Sequence, residues 1–227
     1  MDISKQFSLT DFLAYFFPGA FTITGIYSLI LLTPVQTTFN SISLDITTGI
    51  AFLAASYVIG IIGSGLSRDT VKLIEKATKY KNMDKTIRSD TFPEEVVKIF
   101  QELTGISKKE NISWSFNHYL LCRSFVVEKM PAVAQRLERL NDLALFRRNL
   151  ILPILIWMVA GIGWGTLTVS NGIREWGLLL IILSMVLSLL AVGSTVKRMH
   201  ITIEREKQYM FLSFIVGYKM GLFDKSK

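Results

Sequence analysis

The chain has 227 residues, half of them hydrophobic, with a mean hydropathy of +0.41 and a formal net charge of +7. A soluble domain is about 45–50% apolar as well, but charges interrupt its apolar runs every few positions. In this chain Asp, Glu, Lys and Arg are missing from 12–44, 46–67, 149–173 and 176–196. Each stretch matches or exceeds the roughly 20 residues a helix needs to cross about 30 Å of hydrocarbon, which excludes a soluble globular enzyme. The predicted fold is all-α. Four transmembrane helices carry a helical cytoplasmic domain inserted between spans 2 and 3, and a cytoplasmic helix follows at the C-terminus.

In chain order, Ser8 and Asp11 have capping-box spacing before an apolar run, so a helix is expected to start near Thr10. Span 1 covers roughly 13–33, with Pro18 and Gly19 inside it. A proline within a helix removes one N–H and crowds the preceding turn, so a kink is expected there, setting off a short interfacial helix with Ile3, Phe7 and Phe12. Span 2, at about 47–66, continues as a helix over 68–80 with Val71, Ile74 and Thr78 on one face. Within it, Ala51, Ala55 and the Gly60–Gly65 segment read as a small-residue packing face. The Gly60–Gly65 segment lacks the Lys-Ser/Thr ending of a phosphate loop. Thr91 is expected to cap a helix over 92–103 that has Pro93 in its first turn, ends at Gly105, and turns one apolar face inward.

From 113 to 148, apolar residues recur at Val126, Met130, Val133, Leu137, Leu140 and Ala144, in steps of three and four. That seven-residue repeat marks a helix packed along another helix, bent at Pro131 and continuing into span 3 at 149–169. The partner helix is another subunit's or the chain's own 92–103 segment. Gly161 and Gly165 form a GxxxG pair in span 3. Span 4 covers 176–196. The tail from Lys197 ends in an apolar block, Tyr209 to Val216, too short to span, which reads as an amphipathic helix under the bilayer or against the cytoplasmic layer. The resulting segments are 1–66 (spans 1 and 2), 67–148 (cytoplasmic), 149–196 (spans 3 and 4) and 197–227 (tail).

Charge assigns the sides. Of the 25 basic residues, sixteen fall in 67–148, seven in the tail and one at the N-terminus, leaving Arg174 alone in an outward connection. Cytoplasmic flanks carry the Lys/Arg excess, so both termini and the long insert face the cytoplasm of an inner-membrane protein. Such a basic layer suits anionic headgroups or a phosphate-rich ligand.

No catalytic set is visible, and nothing calls for a cofactor. His118 and Cys122 lie one helical turn apart, but the sequence offers them no third or fourth metal ligand. A lone cysteine forms no internal disulfide. The spans have no ionisable side chain at mid-depth, which argues against a coupled transporter or an intramembrane enzyme and leaves a simple pore open. Thr22, Gly25 and Ser28 are the candidate pore-lining stripe. The candidate ligand-binding set is Trp114, His118, Tyr119, Arg123, Lys129, Arg136 and Arg139, because arginine forks match phosphate and aromatic faces stack bases. Arg123 interrupts an apolar stripe, so it is expected to pair across an interface or to meet an anionic ligand.

The combination of Asp11, Tyr15, Pro18 and Gly19, then Cys122-Arg123-Ser124, Pro131, Arg139-Leu140 and Arg148-Asn149-Leu150 leading into a span, resembles small multi-span membrane effectors of bacterial antiphage defence operons. The Hailong-type channel effector is the nearest named case. The resemblance implies a homo-oligomeric channel in the lipid bilayer, with a tetramer as the working subunit count. It also implies gating by a nucleotide or short oligonucleotide made by a partner nucleotidyltransferase. The alternative is a non-enzymatic membrane anchor that recruits a cytoplasmic partner through its helical domain.

Overall fold

A proline one turn into the first apolar run reshapes the backbone in front of it. The structure, a computed structural model, describes residues 12–33, 46–77, 92–105 and 116–223. Its first element is a π-helical turn, Phe12–Phe16, leading into α1, Phe17–Ile30. Pro18 has no N–H to give the Ala14 carbonyl, and the side-chain amide of Asn149 donates to that oxygen instead, at 2.9 Å. The remaining helices are α2 (Ile46–Ala77), α3 (Glu94–Thr104), α4 (Phe116–Lys129), α5 (Pro131–Asn149), α6 (Ile151–Ser170) and α7 (Arg174–Lys219). No strand occurs among the described residues.

Three helices are long and apolar enough to cross a membrane: α2, the run Pro131–Ser170 formed by α5 and α6, and α7. This is the composition of a membrane-embedded protein. The first predicted span is different, since its apolar helix, Ala14–Ile30, is shorter than the other three. Its N-terminal part, with Ile3, Phe7 and the expected start near Thr10, lies outside the described residues, as do Thr78 and Thr91.

The chain folds as two compact units, one of Met1–Ile74 with Asp142–Met199 and one of Glu75–Asn141 with His200–Lys227. The second unit thus combines part of the insert with part of the tail, while 67–74 and 142–148 of the insert belong to the first unit. Helices α2, α5 and α7 each hold residues of both units without a break.

In the first unit, glycines set the helix packing. A Cβ on Gly19 would strike the Ser56 carbonyl, and one on Gly60 would strike the Tyr15 carbonyl, so α1 and α2 meet backbone to backbone. The positions of α2 that do this are Ser56 and Gly60, both buried. Of the predicted small-residue face, Gly60 packs within the chain, whereas Ala51, Ala55 and Gly65 are exposed. The GxxxG pair does pack within the chain. Gly161 abuts Ser184 of α7, and Gly165 abuts Ile181 and the Gly177 carbonyl. A short turn at Asn171–Ile173, with Gly172 at φ +89°, makes α6 and α7 neighbours in sequence and space. Two indoles tie α1 to α6: Trp157 Nε1 donates to the Phe21 carbonyl at 3.1 Å and Trp164 Nε1 to Ser28 Oγ at 3.0 Å.

The second unit has an aromatic-rich core of Phe92, Val96, Ile99, Phe100, Leu103, Tyr119, Cys122, Val126, Leu137, Met210, Phe211, Phe214 and Phe223. Helix α3 starts two residues later and ends one residue later than expected, with Pro93 at its N-cap rather than in its first turn, and stops at Gly105, whose φ of +71° favours glycine. A break at Met130 separates α4 from α5, as Pro131 led one to expect. The heptad stripe supplies Val126 and Leu137 to the core, with Met130 and Val133 packed against it. The tail is where the expectations narrow to one. There is no separate surface helix: α7 runs unbroken through 46 residues, and Met210, Phe211 and Phe214 of the apolar block enter the core. Beyond it the chain turns at Gly221, φ +69°, and Phe223 stacks on Phe214 with centroids 5.4 Å apart. Lys219 pairs with Glu95 at 2.7 Å, and the Tyr218 hydroxyl donates to Glu102, which fixes the end of α7 to α3.

Candidate functional site

The residues singled out on the 113–148 stretch separate into an interior group and an exposed one. Tyr119, Cys122 and Val126 are spaced three and four apart, so one side of α4 enters the core of the second unit. Arg123 lies next to that side and is half-buried. Its counter-ion is Glu206 of α7, with Nη2 3.3 Å from Oε1 and side-chain exposures of 29% and 10%. The Tyr119 hydroxyl also hydrogen-bonds Glu206. Burial, reinforced by the Glu206 charge, holds the Tyr119 phenol above its ordinary range, so it stays protonated and acts as a donor. Lys207 is near the same carboxylate, and burial holds its ammonium below the ordinary range.

Within its own unit, Arg123 thus has Glu206 as the partner of its charge. The physical reason is the cost of an unpaired ion in a desolvated place. Glu206 was missed in the sequence although it carries the same signal as Arg123. It follows Thr202 and precedes Met210 on one side of α7, all three buried, so it too interrupts a buried stripe.

The other candidates are placed as follows. His118 packs edge-on against Phe100, with centroids 5.7 Å apart. Arg136 is exposed, with its guanidinium carbon 4.6 Å from the centre of the Tyr209 ring. That stacking leaves the fork's N–H edge available to an acceptor. Arg139, one turn on, is exposed. Lys129 is exposed and 2.9 Å from the adjacent Glu128. Trp114 lies outside the described residues. Burial pushes the Cys122 thiol up to about 12, which keeps it un-ionised and unreactive. A second buried pair, missed in the sequence, is His200 Nε2 and Glu75 Oε1, 3.3 Å apart, with the Glu75 side chain only 3% exposed.

In the first unit, the proposed pore stripe packs against protein. Thr22 and Gly25 are buried; Thr22 donates to the Pro18 carbonyl at 2.8 Å, and Gly25 abuts Ile156 and Trp157. Ser28 accepts the Trp164 indole N–H. The exposed hydroxyls Thr24 and Thr166 donate to their own helices one turn back, at 3.0 and 2.9 Å. Hydroxyls satisfied in this way are compatible with lipid and do not by themselves mark a water-filled surface.

Among the described residues no group of His, Cys, Asp and Glu is arranged to hold a metal. Comparison with family models, with curated proteins and with solved structures gives no match.

Proposed function

We propose that this chain is the subunit of a homo-oligomeric pore in the bacterial inner membrane, gated through its second unit by a nucleotide-type anion, in antiphage defence. In this reading α1 joins the three long helices as a fourth span, and both termini face the cytoplasm. The observation that carries it is helix continuity. Each of α2, α5 and α7 passes from one unit into the other with no intervening loop. A rearrangement of the second unit then has rigid elements through which to act on the apolar helices. The anion would meet the Arg136–Tyr209 stack and Arg139, because Tyr119 and Arg123 are committed to Glu206. The purified protein in liposomes should release a trapped dye when nucleotides are added, and native mass should give several copies per particle. A monomer that never releases dye would defeat the proposal.

One observation favours a second reading, a non-enzymatic anchor for a cytoplasmic partner. Three of the seven ligand candidates, His118, Tyr119 and Arg123, are used in internal packing or pairing. A single chain in stoichiometric complex with one partner, and no flux, would support the anchor.

A further inference from the structure

The charge-free stretches end in two arginines. Arg68 is the first charge after 46–67 and Arg148 the last before 149–173. Both belong to the first unit. Arg148 is half-buried, and its Nη2 donates to Ser64 Oγ at 3.2 Å. Its Nε is buried and has no hydrogen-bond partner. Its electrostatic neighbours are the Tyr15 phenol and a second cation, Arg68. Among the described residues no carboxylate stands within ion-pair distance of Arg148, and Arg68 meets only its exposed neighbour Asp69, at 3.9 Å. Ser67 is one helical turn beyond Ser64 on α2, fully buried, with a hydroxyl that has no partner.

Arg123 shows how this protein treats a half-buried guanidinium elsewhere: it supplies a carboxylate. At Arg148 the described residues supply a hydroxyl and another cation, and no carboxylate. An uncompensated, desolvated charge is unfavourable. Two guanidinium forks beside donor hydroxyls complement the oxygens of a phosphate, which a guanidinium binds through parallel N–H donors. The location fits as well, because the ends of membrane-crossing helices lie at the depth of lipid headgroups.

We propose that Arg148 and Arg68, beside the Ser64 hydroxyl, form a binding site for a phosphate group at the end of the apolar helices. The phosphate belongs to a phospholipid headgroup or to a soluble phosphate compound. The site does not depend on whether the helices form a pore.

The test measures the melting temperature of the full chain in maltoside micelles, which contain no phosphate. One arm adds phosphatidylglycerol, with diacylglycerol as the headgroup-free control. The other adds sodium phosphate against sodium chloride at equal ionic strength. Occupancy should raise the midpoint by about 3 °C. A rise with phosphatidylglycerol alone identifies a lipid headgroup, and a rise with sodium phosphate as well identifies a site open to soluble phosphate. Arg148→Gln should lose the shift and Arg148→Lys keep part of it. If Arg148→Gln does not fold, Arg68→Gln, altered at an exposed side chain, should still reduce the shift. No shift in either arm, or an undiminished shift in the folded variants, overturns the proposal.

Discussion

Replacing Arg123 by Met keeps an apolar stem and removes the cation that pairs with the buried Glu206, beside which stand the Tyr119 hydroxyl and Lys207. Breaking a fully buried pair costs about 3–5 kcal/mol. The remaining exposure of Arg123 and the field of Lys207 reduce that to about 2 kcal/mol, a factor of about 30 in the open population of the second unit. Cys122 reports this directly, being the only cysteine, fully buried, and next to Arg123 in the sequence. Its alkylation by a maleimide at neutral pH requires opening, so the rate follows the open population while reclosing outpaces labelling. Arg123→Met should label about 30 times faster than the parent by that arithmetic. Adding Glu206→Gln, which keeps an acceptor for Tyr119 and removes the stranded charge, should restore the rate to within about threefold. A single variant within about twofold of the parent, or a double variant as fast as the single, would refute the reasoning.

Gly60→Val puts side-chain atoms against the Tyr15 carbonyl and should cost about 1–3 kcal/mol by forcing α1 from α2. Gly65→Ala, which meets open space, should leave the melting temperature unchanged or slightly raised. Asn149→Leu removes the side-chain donor to the Ala14 carbonyl and should lower stability by about 1–2 kcal/mol in thermal melts. Alkali should weaken the second unit, because the folded Cys122 thiol titrates near 12 rather than 9.0 and Tyr119 is raised above 10.0. Raised folded values mean that the unfolded chain releases its proton first, so the stabilisation is full below about pH 9 and is lost as pH rises toward 12. Cys122→Ala should flatten the start of that loss in melts between pH 8 and 10.5, while an unchanged slope would remove the thiol from the account.

Local pattern reached the elements but not their partners. The gaps between charges located the long apolar helices, and Pro93 and Gly105 bounded α3 to within two residues, because caps and hydropathy act over a few positions. Arg123 was legible as an anomaly. Its resolution was not, since Glu206 is on another helix far along the chain and pairing at that distance leaves no local trace. The tail shows the same limit: an eight-residue apolar block reads as amphipathic whether it meets lipid, solvent or protein, and only the fold puts Phe211 and Phe214 in the core. Small residues give no phase either. Gly60 and Ala55 look alike in sequence, yet one touches the Tyr15 carbonyl of the π-helical turn and the other is exposed. The sequence marks Pro18 as an irregularity in the helix, but not the amide of Asn149 that serves the carbonyl left without a proline N–H.

The pore reading faces its most direct test in a planar bilayer holding the purified full chain, with nucleotides added to one side. The account predicts discrete conductance steps that depend on nucleotide and are lost or altered when Arg136 and Arg139 are both changed to Glu. A bilayer that contains the protein, shown by recovery of the chain from it, and that stays silent under every nucleotide tried would contradict the account.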